Sequence, residues 1–208
     1  MDLKEAIKGA RNSKRNFKQT FDIIISLKNI DLKRPENRIK LDVSLPKGTG
    51  KPVKSALIVD ALLPLTKELE NVIVITKDDL EKLNKKQVKK IASDVSFFIA
   101  EAPLMPLVGK QLGQVLAPKG MMPKPLPPTL KDLKTPIEKF SRDVKVNVKT
   151  SPVVQAPIGT EDMSDDDVYA NAKAIISAVS TALPRGRDQM RSMMIKTSMG
   201  KPVKVSSW

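Results

Sequence analysis

Hydrophobic and polar positions along this chain follow two different grammars, and the places where one gives way to the other organise its reading. Residues 2–16, DLKEAIKGARNSKRN, set Leu3, Ala6, Ile7 and Ala10 at helical spacing among Lys4, Lys8, Arg11, Lys14 and Arg15, which predicts a short basic amphipathic helix. FDIIISLKNI (21–30) is β-branched and free of breakers, and RIKLDVSL (38–45) alternates Ile39, Leu41, Val43 and Leu45 with polar residues. Both predict strands, the second half-exposed. DLKRPEN (31–37) between them is a loop, and PKGTGKP (46–52), with Pro46, Gly48, Gly50 and Pro52, is a flexible join.

From residue 53 the grammar changes to short, fully apolar runs, ALIVD (56–60), NVIVIT (71–76) and VSFFIA (95–100). They are separated by the helical patterns ALLPLTKELE (61–70) and DDLEKLNKKQVKKIAS (78–93), which together predict a parallel sheet covered by helices. EAPLMPLVGKQLGQVL (101–116) predicts a further helix broken early by Pro103 and Pro106. In APKGMMPKPLPPTL (117–130) prolines crowd too densely for a helix or a central strand, so an ordered loop or linker is expected there. After the helix-like LKDLKTPIEKFS (130–141), strand alternation returns in DVKVNVKT (143–150), through Val144, Val146 and Val148, and in PVVQAPIG (152–159). Ser164 followed by Asp165, Asp166 and Asp167 opens a helix through residue 183, with the serine as cap and the acids against its positive end. PRGRDQ (184–189) then turns the chain into RSMMIKTS (191–198) and MGKPVKVSSW (199–208), a strand pair joined at Gly200.

Charge changes the picture next. Lys and Arg outnumber Asp and Glu by 37 to 23, and the net +14 attracts polyanions, nucleic acid first. A membrane fits less well, because no apolar stretch approaches the roughly 18 residues of a spanning helix and no signal-peptide pattern opens the chain; the expectation is a cytoplasmic protein. The chain has neither cysteine nor histidine. That removes disulfides, thiolate nucleophiles, imidazole bases and nearly all zinc chemistry, and it argues against an enzyme. Aromatic residues are 3% of the chain, too few for a base-stacking sheet or single-strand groove, so RNA shape, ribose and phosphate are the expected targets.

Candidate chemistry is sparse. GTGKP (48–52) has glycines and a lysine but lacks phosphate-loop spacing, since Leu45 and Pro52 stand where Gly and Ser or Thr are required. Asp165–Asp167 point in different directions at a helix start and cap it rather than bind metal. Lys85, Lys86, Lys89 and Lys90 form a basic face able to bind phosphates, although such a run is ordinarily just solvated. VLAPKGMMPKPLP (115–127) reads as a shaped functional loop. KTSMGKP (196–202) offers hydroxyls and exposed backbone to ribose and phosphate, with Met199 against a base or sugar, or else it is a plain β-turn. Phe17 is the aromatic placed at an RNA surface, or capping the core beneath the first helix. Strand and helix alternation in the middle of the chain keeps one rival open, a nucleotide-binding α/β enzyme.

NFKQTFDIIISL with RIKLDVSLPKGTG, LGQVLAPKGMMPKP, and KTSMGKPVKV together resemble the ribosomal protein L-one family of the large subunit, particularly its archaeal branch. The resemblance implies an α/β (α+β) protein of two domains. One is a split α/β sheet domain built from both termini, residues 1–49 and 142–208, which binds RNA; the other is an inserted Rossmann-like three-layer domain, residues 50–141. It implies a non-enzymatic ribosomal constituent without cofactor or metal, monomeric away from the ribosome. Its partners would be large-subunit rRNA at the mobile stalk, deacylated tRNA at the exit site, and its own mRNA as a translational repressor. Carried over by position, the RNA surface comprises Asn16, Phe17 and Thr20 at the first strand, Lys149 and Thr150 at the returning strand, and Ser192, Lys196, Thr197, Ser198, Met199, Gly200 and Lys201 in the last strand and turn. Ser198 stands where the family commonly has Thr, and Lys201 where it has Pro. Lys119, Gly120, Met121, Met122 and Lys124 would give a secondary RNA contact or support the hinge.

Overall fold

Three sheets account for the alternating and apolar runs in the computed structural model, which describes residues 1–11, 15–32, 34, 38–60, 62–69, 72–130, 132–148 and 151–206. In chain order the elements are α1 (Leu3–Ala10), β1 (Thr20–Leu27), β2 (Ile39–Ser44), β3 (Ser55–Ile58), β4 (Val72–Ile75), α2 (Lys77–Lys82), α3 (Lys85–Asp94) and β5 (Phe97–Glu101). Then follow α4 (Met105–Leu116), β6 (Lys124–Leu126), α5 (Lys134–Ser141), β7 (Asp143–Val148), β8 (Val153–Thr160), α6 (Asp165–Ala182), β9 (Met190–Thr197) and β10 (Val203–Val205). The chain folds as two compact units, Met1–Lys51 with Arg142–Trp208, and Pro52–Ser141.

In the first unit β1 lies between β8 and β9 in an antiparallel sheet of order β10-β9-β1-β8, while β2 and β7 form a separate antiparallel pair. Phe21, Ile23, Ile25 and Leu27 of β1 are buried with Val154, Ala156 and Ile158 of β8 and Met193 and Ile195 of β9. Onto that face pack α1, through Leu3, Ala6, Ile7 and Ala10, and α6, through Val168, Ala172, Ile175, Ile176 and Val179. Among the described residues no helix covers the opposite face, where Asp22, Ile24 and Ser26 are half-exposed.

Four ion pairs bind the opening of the chain to residues 162–167: Lys4–Asp166 at 2.7 Å, Arg11–Asp165 at 2.6 Å, Lys18–Asp162 at 2.7 Å and Lys47–Asp167 at 3.3 Å. The three consecutive aspartates thus hold three different cations, and Ser164 Oγ caps the helix by accepting from Asp167 N–H at 3.2 Å. Buried Asn171 completes the closure. Its Nδ2 donates to Gly48 C=O (2.8 Å) and Ile158 C=O (2.9 Å), and its Oδ1 accepts from Lys47 N–H (3.0 Å). Gly48 and Gly50 take positive φ, +66° and +71°, and a Cβ on Gly50 would lie 2.6 Å from Thr160 Oγ1. The GTGKP segment is therefore a packed turn, not an anion cradle.

In the second unit the sheet is parallel, of order β4-β3-β5-β6. One face buries Ala56, Ile58, Phe98 and Ala100 under α2, α3 and α4; the other buries Leu57, Phe97 and Ile99 with Leu133 and the half-buried Ile137 and Phe140 on the α5 side. This is the three-layer α/β arrangement. Details differ from the expected helices. Residues 78–93 form two helices, because Asn84 caps the second, its N–H donating to Gln87 Oε1 at 2.9 Å. Leu63–Glu68, opened by Pro64, is a 3₁₀ segment. Pro106 sits in the first turn of α4, where its missing N–H costs nothing, so that helix is not broken. The proline-rich stretch contains the edge strand β6, an edge position being where Pro125 is tolerated.

Replacing Asn171 by Leu strips the buried Ile158 carbonyl, the half-buried Gly48 carbonyl and the Lys47 N–H of their partner and should lower unfolding free energy by about 2–3 kcal/mol in urea denaturation. The Ser164 hydroxyl and the Lys47 ammonium hold the Asp167 carboxyl below the usual carboxylate range. Its stabilisation is therefore present above that range and lost as pH falls through the lowered value, so an acid titration followed by circular dichroism should lose less stability in Asp167→Asn than in the parent.

Candidate nucleic-acid interface

The turn Ser198-Met199-Gly200 after β9 is held by groups from the other end of the chain. Ser198 Oγ accepts from Thr20 N–H at 3.1 Å, buried Gln19 accepts at Oε1 from Met199 N–H at 3.0 Å, and Gly200 N–H donates to Thr197 C=O at 3.0 Å. Gln19 is itself clamped by Glu161, whose carboxylate accepts from Gln19 Nε2 (2.8 Å) and N–H (3.2 Å). On this rigid turn the Met199 side chain is 61% exposed, and Phe17, two residues before Gln19, is 52% exposed. Exposed large apolar side chains beside a fixed backbone suit packing on a base or sugar.

The helix-free sheet face continues from this turn. Two shallow cavities open on it, one lined by Asp22, Ile24, Gln155, Pro157 and Lys196, the other by Ser26, Arg191, Ser192, Met194 and Lys204. Asp22 is the cross-strand partner of Lys196. Burial holds the Asp22 carboxyl above the usual range against the opposing pull of Lys51 and Lys196. The face thus mixes half-buried apolar side chains, cations and one carboxylate.

Most expected site residues therefore fall on one unit, but not all in the expected role. Asn16 and Phe17 precede β1 in an exposed segment, and Phe17 does not cap the core. Ser192 and Lys196 are half-exposed on the open face, and Lys201 is exposed beyond the turn. Thr20 and Thr197 are buried, Thr197 Oγ1 lying 3.5 Å from Ala10 C=O, so their side chains support the surface rather than form it. The Ser198 hydroxyl is engaged by the Thr20 main chain, accepting from its N–H at 3.1 Å and lying 3.4 Å from its C=O. Lys149 and Thr150 lie outside the described residues. Sequence reasoning missed Gln19 and Glu161, which meet across 142 residues, and it missed Ile24, Gln155, Pro157 and Met194, which period-two alternation along β1, β8 and β9 would have placed on the open face.

Lys119, Gly120, Met121, Met122 and Lys124 belong to the second unit, where helix termination explains most of them. Gly120 takes φ +68°, its N–H donates to Ala117 C=O, and Met121 N–H reaches back to Leu116 C=O while its side chain packs on the core; these are the bonds of a Schellman stop to α4. Lys124 Nζ lies 4.6 Å above the Phe140 ring. Lys119 and Met122 remain exposed.

The nucleotide-binding rival meets a specific obstacle. In an open parallel sheet a phosphate would sit beyond the carboxyl ends of β3 and β5, where the strand order diverges. There the buried Glu101 carboxylate accepts from Asp60 N–H (3.0 Å) and Leu62 N–H (2.8 Å), a fixed negative charge already using the donors a phosphate needs. Among the described residues no cluster of acidic groups could hold a metal ion, and no helix is long and apolar enough to cross a membrane.

A profile of the Ribosomal protein L1p/L10e family matches residues 5–201. The large ribosomal subunit protein uL1 of Thermococcus kodakarensis is 45% identical over 207 residues, covering 98% of this chain and 96% of that protein. That of Pyrococcus horikoshii is 44% identical over 205 residues (97% and 94%), and that of Methanothermobacter thermautotrophicus 45% over 210 (98% of each).

Exposure separates the two classes of site residue by measurement. Met199→Ala and Phe17→Ala should each change unfolding free energy by no more than about 0.5 kcal/mol. Gln19→Ala, which orphans the Met199 amide and leaves the Glu161 carboxylate only the residue-19 main-chain N–H, should cost about 1–3 kcal/mol in the same urea titrations.

Proposed function

The chain belongs to the ribosomal protein L1p/L10e family, and from that premise we propose that its first unit binds large-subunit rRNA through the 198–200 turn and the adjoining open sheet face. It is an archaeal-type uL1 protein, structural rather than enzymatic, and a constituent of the large ribosomal subunit. The observation that carries the RNA reading is the exposed Met199 on a turn whose backbone is fixed by Gln19 and Ser198. A preorganised surface of this kind recognises a preformed RNA shape with little ordering cost, while lysines add salt-dependent attraction. Within this reading residues 1–49 and 142–208 are the RNA-binding domain and 50–141 the insert, the protein acting as a monomer off the ribosome.

The same surface serves two further roles in this proposal. Placed at the mobile stalk, the protein helps release deacylated tRNA from the exit site, and an mRNA segment that copies the rRNA shape is bound in its stead, repressing translation. One surface for both RNAs means that they compete. In filter binding to the cognate rRNA fragment, Met199→Ala should weaken affinity about tenfold or more, equivalent to about 1.4 kcal/mol. Lys85→Gln alone should change it by only a few fold. Equal losses for the two variants would defeat the site assignment, and an mRNA fragment that binds without displacing rRNA would defeat the shared surface.

A further inference from the structure

On α3 of the second unit, charge is arranged against the stability of the helix that carries it. Two helices set acids against the positive end of the macrodipole, α6 with Asp165–Asp167 and α2 with Asp78 and Asp79, while α5 opens on Lys134 without an acid in its first turn but places Lys139 in its last. By contrast α3 opens on Lys85 and Lys86, has no acidic residue in its first turn, and has no basic residue in its last. Lys85 with Lys89 and Lys86 with Lys90 are like charges one turn apart, and so repel. All four are exposed, and no ion pair involves them among the described residues. The helix is held by its opposite side, where Val88 and Ala92 are buried in the core of the second unit. Lys119 brings a fifth cation to the far end of the stripe, its Nζ donating to Ser93 Oγ at 3.3 Å.

Four lysines crowded one turn apart on one exposed face, with no acid at the helix start to offset them as in α2 and α6, mark a face selected for something other than folding. We propose that the Lys85, Lys86, Lys89, Lys90 and Lys119 stripe docks on the phosphate backbone of double-helical RNA as a second, sequence-independent contact. This rests on the reading of the chain as an RNA-binding protein and adds a site on the other unit. Lysines are point charges without the planar fork that reads base edges, so the stripe neutralises phosphates rather than selecting sequence. The exposed face carries no large apolar side chain to insert among lipids, which sets it apart from a membrane-surface helix.

The test compares the full chain with the quadruple variant K85Q/K86Q/K89Q/K90Q and with M199A. Affinities for the rRNA fragment and for two 20-base-pair RNA duplexes of unrelated sequence are measured across salt concentration. The quadruple variant should lower the slope of log affinity against log salt by about 3 to 4. It should lose at least tenfold in affinity, equally for both duplexes, with a thermal midpoint unchanged or raised because helix repulsion has been removed. An unchanged slope in the quadruple variant while M199A still weakens rRNA binding overturns the stripe and leaves the first-unit reading standing; a lowered slope with M199A inert does the reverse. A lowered midpoint, or lysine-dependent sedimentation with anionic phosphatidylserine vesicles at physiological salt without duplex binding, also overturns it.

Discussion

Neither edge of β1 finds a partner in its own half of the chain. Its seven-residue ladders run to β8 and β9, so that Ile23 faces Ala156 on one side and Ile195 on the other. The apolar face of β1 can therefore be buried only once the last third of the polypeptide is present, and loop-closure entropy must be met before those contacts stabilise anything. Around this constraint the polar groups of the first unit are organised. Lys4, Arg11, Lys18 and Lys47, spread over the opening of the chain, all reach carboxylates between Asp162 and Asp167. Each exposed pair contributes little by itself. Arg11 is the exception in kind, since its half-buried guanidinium also donates to Glu161 C=O and Met163 C=O and stacks 5.2 Å from the Phe21 ring.

The same closure builds the 198–200 turn. β1 opens with Thr20 opposite Thr160 and Phe21 opposite Thr197, and this crossing brings Gln19 between Glu161 and Met199. A register slip of one residue would move Gln19 away from that bridge and turn the apolar face outward. The bulge between Phe21 and Asp22 has a matching consequence on the open face: it sets Pro157, rather than Ile158, across from Asp22. Fold and site are thus one arrangement, and the exposed Met199 is a product of strand pairing rather than of the turn sequence alone.

Local chemistry in the sequence carried the fold class well. Apolar runs at 56–59, 72–75 and 97–100 are parallel strands because both faces are covered, and Ser164 with three aspartates starts α6 as capping rules require. Where two signals overlap, the weaker-looking one prevails: Asn84 and Gln87 cut an apparently continuous helical pattern, and in the loop after α4 Gly120 and Met121 form the helix stop. The site was legible only in part. Phe17 and Met199 stand out by type, but whether a hydroxyl is engaged depends on partners far away in sequence, as the Ser198 bond to the Thr20 main chain and the burial of Thr20 and Thr197 show.

Net positive charge, the most visible feature of the composition, is distributed by two opposite rules. In the first unit Lys4, Arg11, Lys18 and Lys47 pair with the carboxylates that close it, and the open face around Asp22 and Lys196 mixes apolar side chains with both signs of charge. In α3 of the second unit lysines stand together without carboxylates to neutralise them, and Glu101 places negative charge where a parallel sheet would otherwise receive a phosphate. A net charge of +14 therefore measures attraction and says nothing of where specificity resides. Specificity follows from rigidity: a donor, acceptor or methyl group held by buried partners discriminates between RNA shapes because it cannot move to suit the wrong one. In this chain that condition is met where Gln19 and Ser198 hold the turn bearing Met199, which on the proposed reading discriminates between RNA shapes where lysines only attract.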